Sequence, residues 1–143
     1  MKVLRKSLTG VAVVGLAVDA YVHLDLAGQY SGVGETVTQG QLFRIEAAMA
    51  LIAAVLLLVK PGRVTAAFAA LVAGGGVLAL LLYYFVNVGP IGPLPNMYEP
   101  LWYGQKVATL VAQMLATAAA LALVVIHSFR PPQPAAERAE HRL

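Results

Sequence analysis

Charged side chains lie within predicted apolar helices, where each is costly unless it has a partner or a function. Asp19 and His23 are four residues apart and therefore share one helix face. Arg44 and Glu46 lie in the first turns of the next apolar segment. Carboxyl and imidazole groups can bind a proton, a cation or a polar ligand. We expect Arg44 to pair with Asp19 or Glu46.

Polar residues of three apolar segments lie at matching depths. At a rise of 1.5 Å per residue, they all fall about 17 to 22 Å from the cytoplasmic ends of their spans. We therefore predict a buried polar layer just outside the bilayer midplane, made up of Asp19, His23, Arg44, Glu46 and Gln113.

The segment before the last apolar stretch is rich in proline and glycine, and the prolines restrict its backbone. It contains Tyr98 and Glu99, and Lys106 follows it. We expect Tyr98 and Glu99 to fold over the polar layer as a lid, which places the Glu99 carboxylate beside Lys106.

Three interpretations of the polar layer remain open at this point. It is an ion-pair network that holds the helices in register, a binding site entered from the outer surface, or a metal or redox centre. One histidine and two carboxylates beside an arginine form a poor metal site, so we assign no metal ligand. The inner halves of the spans are almost free of polar residues. This disfavours a channel and favours an outward-facing pocket.

Composition places these residues in a membrane protein. Of the 143 residues, 59% are hydrophobic and only 12% are charged, which is too little polar surface for a water-soluble domain of this size. This excludes an ordinary cytosolic enzyme and a nucleic-acid binder. The chain has no cysteine, so disulfides and thiol chemistry are excluded as well.

Four segments are long and apolar enough to span a bilayer of about 30 Å. They cover residues 7–26, 42–59, 64–86 and 107–126. Only four residues, Lys60 to Arg63, separate the second and third segments, which predicts a tight antiparallel hairpin. We expect an all-α, polytopic, antiparallel four-helix transmembrane bundle within residues 1–130.

Basic residues predict the orientation of this bundle. Eight of the ten lysines and arginines fall on one side of the predicted membrane: Lys2, Arg5, Lys6, Lys60, Arg63, Arg130, Arg138 and Arg142. Basic residues favour the cytoplasmic side, so both termini are expected inside, in a multi-pass protein of the plasma (inner) membrane. The proline-rich, charged residues 131–143 are then a cytoplasmic tail.

The first segment has a second interpretation as a signal peptide. It begins with basic residues, continues with an apolar core and offers small residues at Val18 and Ala20. Cleavage after Ala20 would leave three spans in the same orientation. The apolar pattern continues through Leu26, which favours a retained span.

Three short stretches carry a resemblance to a known group of proteins. They are YVHLDLAGQY, QLFRIEAA and MYEPLWYGQK, which lie at the ends of the first, second and fourth spans that face the outer loops. Together they resemble small four-helix integral membrane proteins of high-GC actinobacteria, and the four-helix arrangement is loosely similar to DoxX-like proteins. The resemblance covers residues 11–125. It implies a plasma-membrane location and no catalytic role for any residue.

The sequence indicates less about the function of this protein than about its location in a membrane. The absence of a catalytic motif favours a non-enzymatic accessory or interaction subunit of a larger membrane assembly. The alternative is a binding site or transporter component for a cation, a proton or a small polar ligand, and a quinone-linked oxidoreductase subunit comes third. We assign no catalytic residue and no cofactor. The expected partners are the lipid bilayer and another membrane protein or further copies of this chain, with no nucleic acid.

Overall fold

The computed structural model describes residues 1–129 of the chain. Within them it has four helices and no strand, apart from one isolated bridge between Ile91 and Leu94. The helices are α1 (Lys2–Ala27), α2 (Gln39–Val59), α3 (Arg63–Phe85) and α4 (Gly104–Ser128). The predicted tail, residues 131–143, lies outside the described residues.

All four helices are long and apolar enough to cross a membrane, which indicates a multi-pass membrane protein. All four begin before the apolar segments of the sequence, and α1 and α4 also end after them. The helix α1 begins at Lys2 and includes the basic residues that precede the apolar stretch. A helix continues through a charged turn as long as its backbone hydrogen bonds are made, whereas hydropathy detects only the apolar part.

Local signals explain where α2 and α3 begin and end. Thr38 caps α2 through a capping box, in which its side chain accepts from the Gln41 backbone and Gln41 accepts from the Thr38 backbone. The helix ends at Val59, before Pro61, which cannot continue the hydrogen-bond pattern. The Thr65 hydroxyl then donates to the carbonyl oxygens of Lys60 and Gly62 and holds the turn into α3.

The helices pack as a ring in chain order. The helix α1 packs against α2 and α4, α3 packs against α4, and the α2–α3 pair has by far the fewest contacts of the four. We call the side of the bundle with the short α2–α3 turn the turn end. The side with the long connections, residues 28–38 and 86–103, is the loop end.

Small residues let the helices approach closely. The core is mostly alanine, with a few larger side chains such as Leu16, Leu57 and Leu123. Gly15 of α1 lies close against α4, because a Cβ atom at this position would lie 2.7 Å from the carbonyl oxygen of Ala112 in α4. This tight α1–α4 seam positions the polar residues of the two helices against each other.

Candidate functional site

Asp19 lies at the centre of a buried polar cluster near the loop end. Its side chain is fully buried, and one carboxylate oxygen, Oδ1, accepts three hydrogen bonds. Two donors come from α4: Gln113 Nε2 at 2.8 Å and Thr109 Oγ1 at 3.2 Å. The third donor is His23 Nδ1, which lies one turn further along α1 at a distance of 2.9 Å. The carboxylate therefore links α1 to α4.

Helix periodicity explains this arrangement. Thr109 and Gln113 are four residues apart in α4, as Asp19 and His23 are in α1. The two residues of each pair therefore lie on the same face of their helix. His23 Nδ1 also lies 2.9 Å from the Asp19 backbone carbonyl oxygen. Both oxygens near Nδ1, this carbonyl oxygen and Asp19 Oδ1, are acceptors. The hydrogen of this imidazole is therefore assigned to Nδ1.

Three acceptor oxygens in this region have no donor among the described residues. They are Asp19 Oδ2, Glu46 Oε1 and Gln113 Oε1, and all three are buried. Glu46 reaches the cluster from α2, where its carboxyl group lies beside Asp19 and His23. Buried polar atoms are rarely left without a partner, so three together indicate a place where a proton or a ligand supplies the donors.

A cavity of about 560 Å³ lies beside this cluster. The wall includes His23, Glu46, Thr109 and Gln113. Asp19 lies outside the wall and orients His23, Thr109 and Gln113 through its hydrogen bonds. Most of the remaining wall is apolar side chains of α2 and α3. The volume is typical of a site for a small organic molecule.

Arg44 is not part of the cluster, which corrects the expected ion pair. Its side chain is exposed, and it takes part in neither of the two ion pairs formed within residues 1–129. The reason is helical geometry. Positions i and i+2 point in different directions, so Arg44 faces outward when Glu46 faces the cavity.

Glu99 and Lys106 lie together at the loop end of the cavity. Lys106 Nζ is 3.0 Å from Glu99 Oε2 and donates to the Glu99 backbone carbonyl oxygen at 2.8 Å. The Glu99 backbone N–H donates to the carbonyl oxygen of Tyr83 at 3.0 Å, which ties the segment to the end of α3. Tyr98 is exposed and lies outside the cavity wall, so the structure places only Glu99 over the polar cluster.

Tyr30 also contacts Glu99, although the sequence analysis did not single it out. We call the contacts of Glu99 with Lys106, Tyr83 and Tyr30 the loop-end closure. Its hydroxyl donates to Glu99 Oε1 at 2.6 Å and lies 3.2 Å from the Tyr103 hydroxyl. Burial raises the pKa of Tyr30, and the hydrogen bond to Glu99 raises it further, so the phenol stays a donor. Burial likewise raises the pKa of Tyr103. No local spacing links Tyr30 to Glu99, because 69 residues separate them.

The oxygens of the cluster decide which chemical groups of a ligand suit it. Among residues 1–129, no group of three or more His, Asp and Glu side chains is arranged to hold a metal. The oxygens without a donor instead suit N–H or O–H groups, with a preference for a cation at the carboxyl groups.

Gly76 of α3 provides room for the Gln113 side chain. A Cβ atom at Gly76 would overlap the Gln113 amide, so we expect Gly76→Ala to displace Nε2 from Asp19. The expected loss is about 1–2 kcal/mol of unfolding free energy, measured by denaturant titration in mixed micelles.

Its matched control is the adjacent glycine. A Cβ atom at Gly75 would have no atom within 4 Å, so Gly75→Ala should be neutral or slightly stabilising. Equal losses from the two variants would show that Gly76 does not act through Gln113.

No family model, no curated protein and no solved structure matches this chain.

Proposed function

We propose that this protein binds a small amphipathic molecule within the membrane. A positively charged group of the ligand lies at Glu46 and Gln113, and its apolar body fills the cavity between α2 and α3. The observation that carries this proposal is the 560 Å³ cavity whose wall includes residues with buried, donor-free oxygens.

The charges around the cavity favour a cation. Lys106 is already paired with Glu99, and His23 donates its Nδ1 hydrogen to Asp19. Glu46 forms no ion pair within residues 1–129, although it lies beside the Asp19 carboxyl group. Two neighbouring carboxyl groups require a proton or a positive donor between them, and a ligand ammonium group meets this requirement.

The proposed site faces the outer side of the plasma membrane. Lys2, Arg5, Lys6, Lys60 and Arg63 all lie at the turn end of the bundle, whereas the cavity lies towards the loop end. Basic residues favour the cytoplasmic side of a membrane. This distribution supports an inside location for the turn end and therefore an outward-facing cavity.

The role as an accessory subunit of a larger assembly stays a prediction. It is compatible with ligand binding, because a subunit can hold a small molecule at its interface with a partner. The quinone-linked alternative has less support, because the donor-free atoms are acceptors and a quinone carbonyl is an acceptor too.

Three ten-carbon probes with different head groups test the proposal. Decylamine, decanol and decanoate are added at equal mole fraction to the protein in phosphatidylcholine nanodiscs, and the melting temperature is measured. Decylamine should raise it, because a ligand that binds only the folded state stabilises that state. Decanol should raise it less, and decanoate should not raise it.

The variant Glu46→Gln should weaken decylamine binding about tenfold, because the charge-assisted hydrogen bond is lost. Glu35→Gln is the matched control, since Glu35 is an exposed loop residue outside the cavity wall. Equal affinity for the amine and the carboxylate, or an unchanged affinity in Glu46→Gln, would rule out a cation site here. The cluster would then be interpreted as a proton-sharing or structural network.

A further inference from the structure

We infer that the ligand enters the cavity sideways from the bilayer, through the gap between α2 and α3, and is therefore a membrane-partitioned amine. This inference rests on the proposed binding function and adds the route of entry and the class of ligand. It follows from three observations on the walls of the cavity.

The first observation is the loose packing of the α2–α3 seam. These two helices have by far the fewest contacts of the four neighbouring pairs. Gly75 of α3 is exposed at the seam and belongs to the cavity wall. A Cβ atom there would meet nothing within 4 Å, so open space lies beside the α3 backbone at this position.

The second observation is that the cavity wall continues onto the outer surface of the helices. Ile45 and Met49 of α2 are 57% and 39% exposed, and Leu71 of α3 is 75% exposed, yet all three line the cavity. Side chains that belong to both the cavity and the exterior surround its opening. These side chains are apolar and lie on helices that span the membrane, so the opening meets lipid.

The third observation is that the loop end is closed by polar contacts. Tyr30 and Lys106 both bond to Glu99, at 2.6 Å and 3.0 Å, and the Glu99 backbone bonds to Tyr83. Lys106 Nζ also lies 5.2 Å from the centre of the Tyr103 ring. A ligand arriving from water at the loop end would meet these contacts, whereas no side-chain hydrogen bond or ion pair joins α2 to α3 within residues 1–129.

The route restricts the ligand to molecules that dissolve in a bilayer. The charged end must be a donor that suits Glu46, and the remainder must be apolar to pass Ile45 and Leu71. An alkyl ammonium group meets both conditions. It can come from a free lipophilic amine or from the head group of an ethanolamine phospholipid.

Binding kinetics test the route. Radiolabelled decylamine is added to the protein in nanodiscs, and its association and dissociation are followed by scintillation proximity counting. Gly75→Phe narrows the seam, so the association rate and the dissociation rate should both fall about fivefold, whereas a Phe side chain that only filled the cavity would slow association and speed dissociation. Ala79→Phe narrows the same seam one turn along and should give the same result if Gly75→Phe folds poorly.

Two controls identify the route. Ala48 is exposed on α2 outside the cavity wall, so Ala48→Phe should leave both rates unchanged. Tyr30→Phe removes a hydrogen bond of the loop-end closure, and it should also leave both rates unchanged if entry is lateral. Faster rates in Tyr30→Phe together with unchanged rates in both seam variants would overturn lateral entry.

A result that overturns lateral entry can be distinguished from one that overturns the proposed binding function. Aqueous entry would leave decylamine binding and its loss in Glu46→Gln intact, whereas an absence of decylamine binding would overturn both proposals. Nanodiscs with added phosphatidylethanolamine distinguish the two sources of the amine. Competition with decylamine would identify the phospholipid head group, and no competition would identify a free amine; both results keep the ligand in the bilayer.

Discussion

Replacement of Asp19 by alanine is expected to lower the free energy of unfolding by about 2–4 kcal/mol. The carboxylate accepts hydrogen bonds from Gln113, Thr109 and His23, and two of these donors lie on another helix. The variant leaves the three donors without their acceptor at a fully buried position. Denaturant titration in mixed micelles, followed by circular dichroism, measures the loss.

Asp19→Asn should be less damaging than Asp19→Ala, because the amide keeps one acceptor oxygen of the same shape. Asp25→Ala is the matched control, since Asp25 lies on the same helix, is exposed, and accepts a hydrogen bond from Gln105 at the surface. Its effect should stay within about 0.5 kcal/mol. Equal losses at Asp19 and Asp25 would contradict a central role for the buried carboxylate.

Gly15→Ala should destabilise the bundle by about 1–3 kcal/mol, the usual effect of overpacking a well-packed contact. A Cβ atom at Gly15 would lie 2.7 Å from the Ala112 carbonyl oxygen and 2.9 Å from the Ala116 Cβ atom. The carbonyl belongs to the backbone of α4 and cannot rotate away, so the two helices must separate. The same denaturant titration measures the effect.

Gly10→Ala is the control in the same helix, and its effect on the free energy of unfolding should not be a loss. A Cβ atom at Gly10 would meet nothing within 4 Å, and alanine favours the helix over glycine by about 0.5–1 kcal/mol. The control should therefore be neutral or slightly stabilising. If both variants destabilise equally, the α1–α4 seam is wider than the structure indicates.

Comparison of Gly15→Ala with Glu46→Gln separates effects on stability from effects on ligand binding. Separation of α1 from α4 at Gly15 moves Gln113 away from Asp19, so Gly15→Ala should weaken the proposed site as well as the fold. Glu46 has no hydrogen-bond partner for Oε1 among the described residues, so Glu46→Gln should weaken binding with little loss of stability. Measured together, stability and affinity show which residues hold the helices and which hold the ligand.

The four helices follow from the sequence because their signals are local. A spanning helix requires a continuous apolar stretch of sufficient length, and the chain has four. The helix ends differ from the apolar boundaries by up to five residues: the first apolar stretch begins at residue 7, whereas α1 begins at Lys2. The charged turns at the ends of a helix carry no hydropathy signal, although their backbone is helical.

The polar cluster follows only partly from the sequence. Depth along the spans indicated that Asp19, Glu46 and Gln113 lie at one level, and the structure brings their side chains together. Depth contains no information about which direction a side chain faces. Arg44 lies at the same level but on the outer side of α2, and a two-residue offset from Glu46 already indicates this.

The membrane-spanning class, the number of helices and the depth of the buried polar groups follow from the sequence alone. Each of these depends on composition, length and a fixed rise per residue. The loose packing of α2 against α3, which leaves a cavity, and the contact of Tyr30 with Glu99 at its loop end are visible only in the folded structure. Both features depend on contacts between distant segments, and such contacts are set by how the small residues of all four helices fit together.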